Sequence, residues 1–339
     1  MTAVMRTWRC GGPLLAALLL CTACSSAGPA PGPTAPSSSH VAVGTGPPPT
    51  NGAPAPGQTT DAVAPPTPPT SAHPFARYLV TGARSGVRAP VLVRLPAAYF
   101  DPAQSGRRFP VIETFHGAPG HAEQWLGKLH FGQALDQSMR EGRIAAAIVV
   151  SPSMNYPTDG DRECVDAGPP APALETWATQ DVPDWVEHTF RARSDRNSWA
   201  TIGLSAGGWC AAMASMLHPD RYRASAVLSG YFRPQFPGPS PLVAGPRARR
   251  YDLVALAGTA PPPVALWLVT SPEDGASFAT SRAVSFARPP LAVTSVVLHG
   301  QDHSWRVWSG LLPGILAWLG RTASGFAPPT SVARPSSAL

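Results

Sequence analysis

Lysine is almost missing from this chain of 339 residues: Lys128 is the only one, and charged side chains of all kinds make up 14%, where about a quarter is usual. The formal charge of +6 is therefore carried by arginines. They are scattered apart from Arg247-Ala248-Arg249-Arg250, so a basic face for nucleic acid is not expected. The same arginine-for-lysine bias, with heavy use of Ala and Pro, reads as the product of a GC-rich genome. Long apolar runs are also lacking. The run near the start, Leu14-Leu15-Ala16-Ala17-Leu18-Leu19-Leu20, falls short of the roughly twenty residues a membrane-spanning helix needs. The sequence shows no His/Cys/Asp/Glu cluster with metal-ligand spacing, no P-loop, no dinucleotide fingerprint and no internal repeat, so neither a metal nor an organic cofactor is expected.

What the chain does have begins with Arg6 and Arg9 ahead of that short apolar run, the form of an export signal. The following Leu20-Cys21-Thr22-Ala23-Cys24-Ser25-Ser26 resembles the bacterial lipobox, whose final cysteine is lipidated and becomes the mature N-terminus. Cys24 takes that position, while Cys21 departs from the leucine preferred three residues earlier, which keeps plain cleavage and secretion as the alternative. Residues 1–23 are thus read as signal, and the protein as exported and lipid-anchored to the membrane. Residues 24–72 are mostly Pro, Gly, Ala, Ser and Thr, with Asp61 as the only carboxylate and no Lys or Arg. Such a stretch has too little apolar surface to offset the entropy of ordering, and its prolines favour an extended tether. A similar tail is expected over residues 324–339. Between them, residues 73–323 suffice for one large domain. Of five cysteines, Cys10 and Cys21 leave with the signal and Cys24 would carry lipid. Cys164 and Cys210 remain as a disulfide candidate for an oxidising compartment; the alternative makes Cys210 a small core residue.

Within the domain, the apolar patterning predicts strands at residues 78–81, 90–95, 109–115, 144–150, 199–204, 225–229, 264–270 and 293–298. Helices are predicted at 131–141, 175–190, 206–217, 276–286 and 305–319. Strands alternating with helices imply an α/β class with a mostly parallel central sheet covered on both faces.

The most informative stretch is Trp199-Ala200-Thr201-Ile202-Gly203-Leu204-Ser205-Ala206-Gly207-Gly208, in which G-x-S-x-G joins a strand to a helix as in a nucleophile elbow. Ser205 is the candidate nucleophile. A serine hydroxyl needs an imidazole to take its proton, and the imidazole needs a carboxylate to hold its tautomer. Both appear after later strands, at the sheet edge where parallel α/β folds place their sites. Asp274 in Ser271-Pro272-Glu273-Asp274-Gly275 is the expected acid, with Glu273 as alternative. His303 in His299-Gly300-Gln301-Asp302-His303 is the expected base, with His299 as alternative. Oxyanion donors are expected from the backbone of Ala206 and of Ala118, or its neighbour Gly117. His116 is read as bracing that loop rather than taking part in the chemistry. Trp125, Trp177, Tyr156, Tyr231 and Phe232 are open to either a pocket or the core.

These pieces together resemble the bacterial α/β-hydrolase esterases related to esterase D and to the antigen 85 mycolyltransferases. The matching segments are Phe115-His116-Gly117-Ala118-Pro119-Gly120, Glu175-Thr176-Trp177, Gly203 to Gly208, His218-Pro219-Asp220, Ser229-Gly230-Tyr231 and the Asp274 and His303 loops. The resemblance implies an α/β-hydrolase fold and an acyl-serine intermediate on a triad of Ser205, Asp274 and His303. It implies a serine carboxylesterase acting on a small-molecule or lipid ester. The alternatives are an envelope acyltransferase with a sugar or lipid acceptor, and a catalytically silent surface protein on the same scaffold. Gly207-Gly208 after the serine resembles the hydrolytic branch.

Overall fold

Eight strands form one sheet: β1 (Phe75–Thr81), β2 (Arg88–Arg94), β3 (Val111–Phe115), β4 (Ile148–Pro152), β5 (Trp199–Leu204), β6 (Ala224–Leu228), β7 (Ala265–Thr270) and β8 (Ala292–Val297). The computed structural model describes residues 67–329 apart from 157, 159, 301 and 302. The expected export signal, Cys24, the expected tether up to residue 66 and the expected tail from residue 330 lie outside the described residues. The strand order is β1-β2-β4-β3-β5-β6-β7-β8. β2 runs antiparallel to both β1 and β4, and every other neighbour is parallel, which is the mostly parallel α/β-hydrolase sheet expected. The helices are α1 (Phe131–Arg140), α2 (Leu174–Thr176), α3 (Val182–Thr189), α4 (Ala206–Leu217), α5 (Pro246–Arg250), α6 (Leu253–Thr259), α7 (Ala276–Ser285) and α8 (Trp305–Thr322).

Period-two alternation sends successive side chains to opposite faces, and each face carries its own core. Val111 and Phe115 join Trp177, Trp199 and Trp209 on one side. Ile112 and Ile202 join Trp125, Phe131 and Leu316 on the other.

Besides the short helices α5 and α6, which the patterning does not predict, the structure differs from the sequence reading at three places. The helix expected over 175–190 is interrupted by a π-helical turn at Trp177–Asp181. Pro183 in the first turn of α3 has no N–H to give, and the Thr179 hydroxyl donates to the Glu175 carbonyl at 2.8 Å. The strand expected from Ile144 begins only at Ile148, since Ala145 N–H is taken by the Phe326 carbonyl at 2.9 Å. That contact also moves the end of the domain: Ser324–Phe326 is a 3-10 turn with Phe326 buried, so the unstructured tail cannot start at residue 324. A large apolar side chain there is better covered than left in water.

Glu113 shares the face of Val111 and Phe115 and is fully buried. The Tyr222 hydroxyl donates to its Oε2 at 2.7 Å, and burial pushes its carboxyl from about 4.5 up to about 8. A carboxyl with a raised folded pKa contributes fully only below its unfolded value, and that contribution is lost as pH rises through about 8. The slope is about 1.4 kcal/mol per pH unit over that window. Glu113→Gln, which cannot ionise, should therefore melt close to the wild type at pH 5 and above it at pH 8.5. Melting curves across that range check this, and parallel curves would refute it.

Candidate active site

The end of β5 turns into α4 at Ser205, whose backbone sits at φ 55°, ψ −126°, a left-handed region costly for any residue with a Cβ. Its neighbours leave no alternative to glycine. A Cβ on Gly203 would collide with the Gly207 carbonyl, and one on Gly207 with the carbonyls of Phe115 and His116. The strained turn is held by hydrogen bonds on both sides: Ser205 N–H donates to Leu228 O at 2.9 Å, and Gly208 N–H donates to Ser205 O at 2.9 Å. Ser205 is half-buried at the carboxyl edge of the sheet, and Ala206 opens a helix whose first N–H groups have no partner inside it.

The loop after β3 lies against the serine, close enough that a Cβ on Gly117 would come within 3.3 Å of Ser205 Cβ. His116 braces this loop, as its sequence position suggested. Its Nε2 accepts from Met154 N–H at 3.2 Å and its Nδ1 donates to Gly117 O at 2.8 Å. Burial pushes its pKa down, so the ring is neutral with the proton on Nδ1. Asn155 adds a bond from Nδ2 to Gly120 O at 3.0 Å. Gly117, Ala118 and Ala206 border a common cavity of about 20 Å³, room for about one water or a carbonyl oxygen.

Asp274 and His303 come together. His303 Nδ1 lies 3.1 Å from Asp274 Oδ1, with the carboxylate side chain 8% exposed and the imidazole 43%. Glu273 points elsewhere: it accepts from the Ser271 hydroxyl and from Gly300 N–H at 3.2 Å, and these bonds lower its pKa. His299 is exposed and acts on Glu273 by charge. The His303 ring stands edge-on to Trp308 at 4.7 Å between centroids, and the Trp308 indole N–H donates to Ser229 Oγ at 3.2 Å. Ser229 follows β6 directly, so Trp308 ties the histidine to the strand beside the elbow. Among the described residues no hydrogen bond joins Ser205 Oγ to His303; such bonds commonly tighten only with substrate.

Cys164 and Cys210 form a disulfide with a Cα–Cα distance of 5.6 Å, fastening the loop after β4 to α4. Beside it lies a residue the sequence gave no reason to select. Glu163 is buried; its carboxyl accepts from Tyr231 OH at 2.6 Å and its carbonyl from the Trp209 indole at 2.5 Å. Burial, with Asp161 adding repulsion, pushes that carboxyl up to about 8. Only its adjacency to Cys164 could have flagged it. Of the aromatic candidates, Trp125, Trp177 and Phe232 are core, Tyr231 is buried on Glu163, and Tyr156 is exposed. A 46-residue separation across the bridge corresponds to about 4 kcal/mol of loop-closure stabilisation. Cys164→Ala/Cys210→Ala should accordingly melt about 10 °C lower; an unchanged melting temperature would show that the bridge constrains nothing.

The chain matches, over residues 83–300, the family model described as "Putative esterase". The match covers Ser205 and Asp274 and ends just short of His303. A ferulic acid esterase structure superposes with a TM-score of 0.57 at 18% identity, covering 73% of this chain and 98% of that one. An S-formylglutathione hydrolase from Agrobacterium tumefaciens gives 0.59 at 16%, covering 74% and 95%. A fluorophosphonate-binding serine hydrolase of Staphylococcus aureus gives 0.57 at 14%, covering 72% and 97%. Likeness at these identities establishes the shared fold.

Proposed function

The chain belongs to the esterase family of α/β-hydrolases, enzymes of carboxylic esters, and we propose that it hydrolyses them through Ser205, His303 and Asp274. His303 Nε2 takes the Ser205 proton as Oγ attacks the ester carbonyl, and the new C–O bond gives a tetrahedral oxyanion held by the N–H groups of Ala206 and Ala118. The ester C–O bond then breaks and the same proton passes from His303 to the departing alcohol. Water repeats the sequence on the acyl-serine and releases the acid. The observation that carries this reading is the strained Ser205 turn, packed around glycines that admit no Cβ. Strain of that kind is kept where it exposes a reacting group.

Export, anchoring through Cys24 and the division into signal, tether, catalytic domain and tail belong to the same proposal, supported by Arg6, Arg9, the short apolar run and the lipobox-like residues. One mass-spectrometric experiment on protein from the producing cell tests both parts. After treatment with a fluorophosphonate, the adduct should map to Ser205 and the N-terminal peptide should carry lipid on Cys24. An unlabelled Ser205 overturns the first part, and an unmodified N-terminus elsewhere the second.

A further inference from the structure

Glu163 lies buried in the loop after β4 and has no part in the mechanism above, yet it borders the same cavity of about 20 Å³ as Gly117, Ala118 and Ala206. Its backbone is costly to keep in place. Glu163 and Cys164 stand one after the other at φ 57° and 48°, where residues with a Cβ are uncommon. Three attachments hold them there: the bridge from Cys164 to Cys210 on α4, the Trp209 indole N–H on the Glu163 carbonyl, and the Glu163 N–H, which donates to Asp161 Oδ1 at 3.0 Å. Strain of this kind persists where the surroundings over-determine it, and it gathers at functional sites.

The carboxyl is satisfied on one oxygen and bare on the other. Oε1 accepts from Tyr231 OH at 2.6 Å. Oε2 is buried, and among the described residues no hydrogen bond ends on it. Burial and the neighbouring Asp161 charge push the carboxyl up to about 8, so at pH 7 the group is the neutral acid. Because Oε1 accepts, the proton belongs on Oε2, which is then a donor in need of an acceptor. The cavity that Glu163 shares with Ala118 and Ala206 has room for about one oxygen, and an ester carbonyl brings one.

We propose that Glu163 is a further catalytic residue, its Oε2–H joining the N–H groups of Ala118 and Ala206 as a third donor to the oxyanion. This rests on the serine esterase reading above and adds a donor to it. A carboxylic acid can make that bond only while uncharged; once ionised, it would set a negative oxygen against the oxyanion. Activity should therefore be lost as pH rises through about 8. Asp161 and Arg162 from the same loop and His116 from the loop after β3 border the cavity with it, and Tyr231 meets it from the segment after β6. His116 is already neutral, and burial holds the Tyr231 hydroxyl above its usual range, which leaves Asp161 as the rival carboxyl for this loss.

The test is kcat on p-nitrophenyl acetate from pH 6 to 10. The wild-type value should fall up to about tenfold per pH unit above the midpoint. Glu163→Gln, whose amide can donate but cannot ionise, should start severalfold lower at pH 7 and stay level to pH 10. Glu163→Met, which has no donor, should lie about a hundredfold below wild type at pH 7 with KM little changed. Asp161→Asn should keep the alkaline loss and move it to lower pH, since it removes a charge that holds the Glu163 proton. Glu113→Gln should leave the loss where it is, although Glu113 is also pushed up to about 8. A wild-type value level to pH 10 would overturn the proposal, as would a Glu163→Gln profile that falls like the wild type. Disappearance of the loss in Asp161→Asn or Glu113→Gln would assign it to that residue and overturn the proposal too. So would a Glu163→Met protein, folded by its melting curve, within about threefold of wild type; if that variant does not fold, the wild-type and Glu163→Gln profiles decide. A wild type inactive at every pH, with Ser205 unlabelled by fluorophosphonate, would instead remove the esterase reading itself.

Discussion

Ser205→Ala is expected to lower kcat on p-nitrophenyl acetate by about four to six orders of magnitude while leaving the melting curve unchanged. The substitution removes one oxygen from a half-buried side chain and keeps the Cβ, so the strained turn and its hydrogen bonds to Leu228 and Gly208 survive. What is lost is the atom proposed to form the acyl bond. His303→Ala should be comparably severe, and the double variant little worse than either single one, because a nucleophile and its base act as one unit. His299→Ala should cost little, since that residue is exposed and the interaction it shows among the described residues is with Glu273. A folded Ser205→Ala protein that still hydrolyses the ester would end the proposed mechanism. A severe His299→Ala with a mild His303→Ala would reassign the base.

Asp274→Asn is expected to lower kcat by about four orders of magnitude with KM little changed, against a change of less than about tenfold for Glu273→Gln. The contrast follows from geometry. Asp274 is nearly buried with Oδ1 3.1 Å from His303 Nδ1, and among the described residues its Oδ2 has no hydrogen-bond partner, which makes the histidine its main side-chain partner there. An asparagine there can offer its amide N–H to Nδ1, which fixes the tautomer with the proton on Nε2, where it cannot accept from serine. Glu273 spends its carboxylate on the Ser271 hydroxyl and Gly300 N–H, so its loss is expected to perturb the loop more than the imidazole. Steady-state kinetics on the two variants decide it, and similar losses in both would show that the loop as a whole matters more than the individual acid.

Much of this architecture is readable along the chain because it depends on local pattern. The β-branched run before Gly203 and the small residues after Ser205 specify a strand, a turn and a helix in that order, and β5, Ser205 and α4 occupy those positions. The failures are places where a distant partner outweighs local preference. Ile144 to Ala147 looks like strand until Phe326, far along the chain, takes the Ala145 amide. The short helices α5 and α6 are hidden in a proline-rich segment whose composition suggests a loop. Glu163 gives no local signal, since its significance lies in the folded neighbourhood of Tyr231, Trp209 and the disulfide. Choosing between His299 and His303, or Glu273 and Asp274, needs the approach of two loops, which spacing alone cannot show.

Trp308 has a consequence for the time course of folding. The parts of the site leave the ribosome in chain order, with the His116 loop first, the elbow next, then Asp274, and His303 with α8 last. Pairings between residues far apart in sequence close long loops and so form slowly. Trp308 can seat between Ser229 and His303 only after α8 has docked on a nearly finished sheet. A nascent chain would carry a formed elbow and a harmless serine, and on the proposed mechanism hydrolytic competence would begin with the last helix.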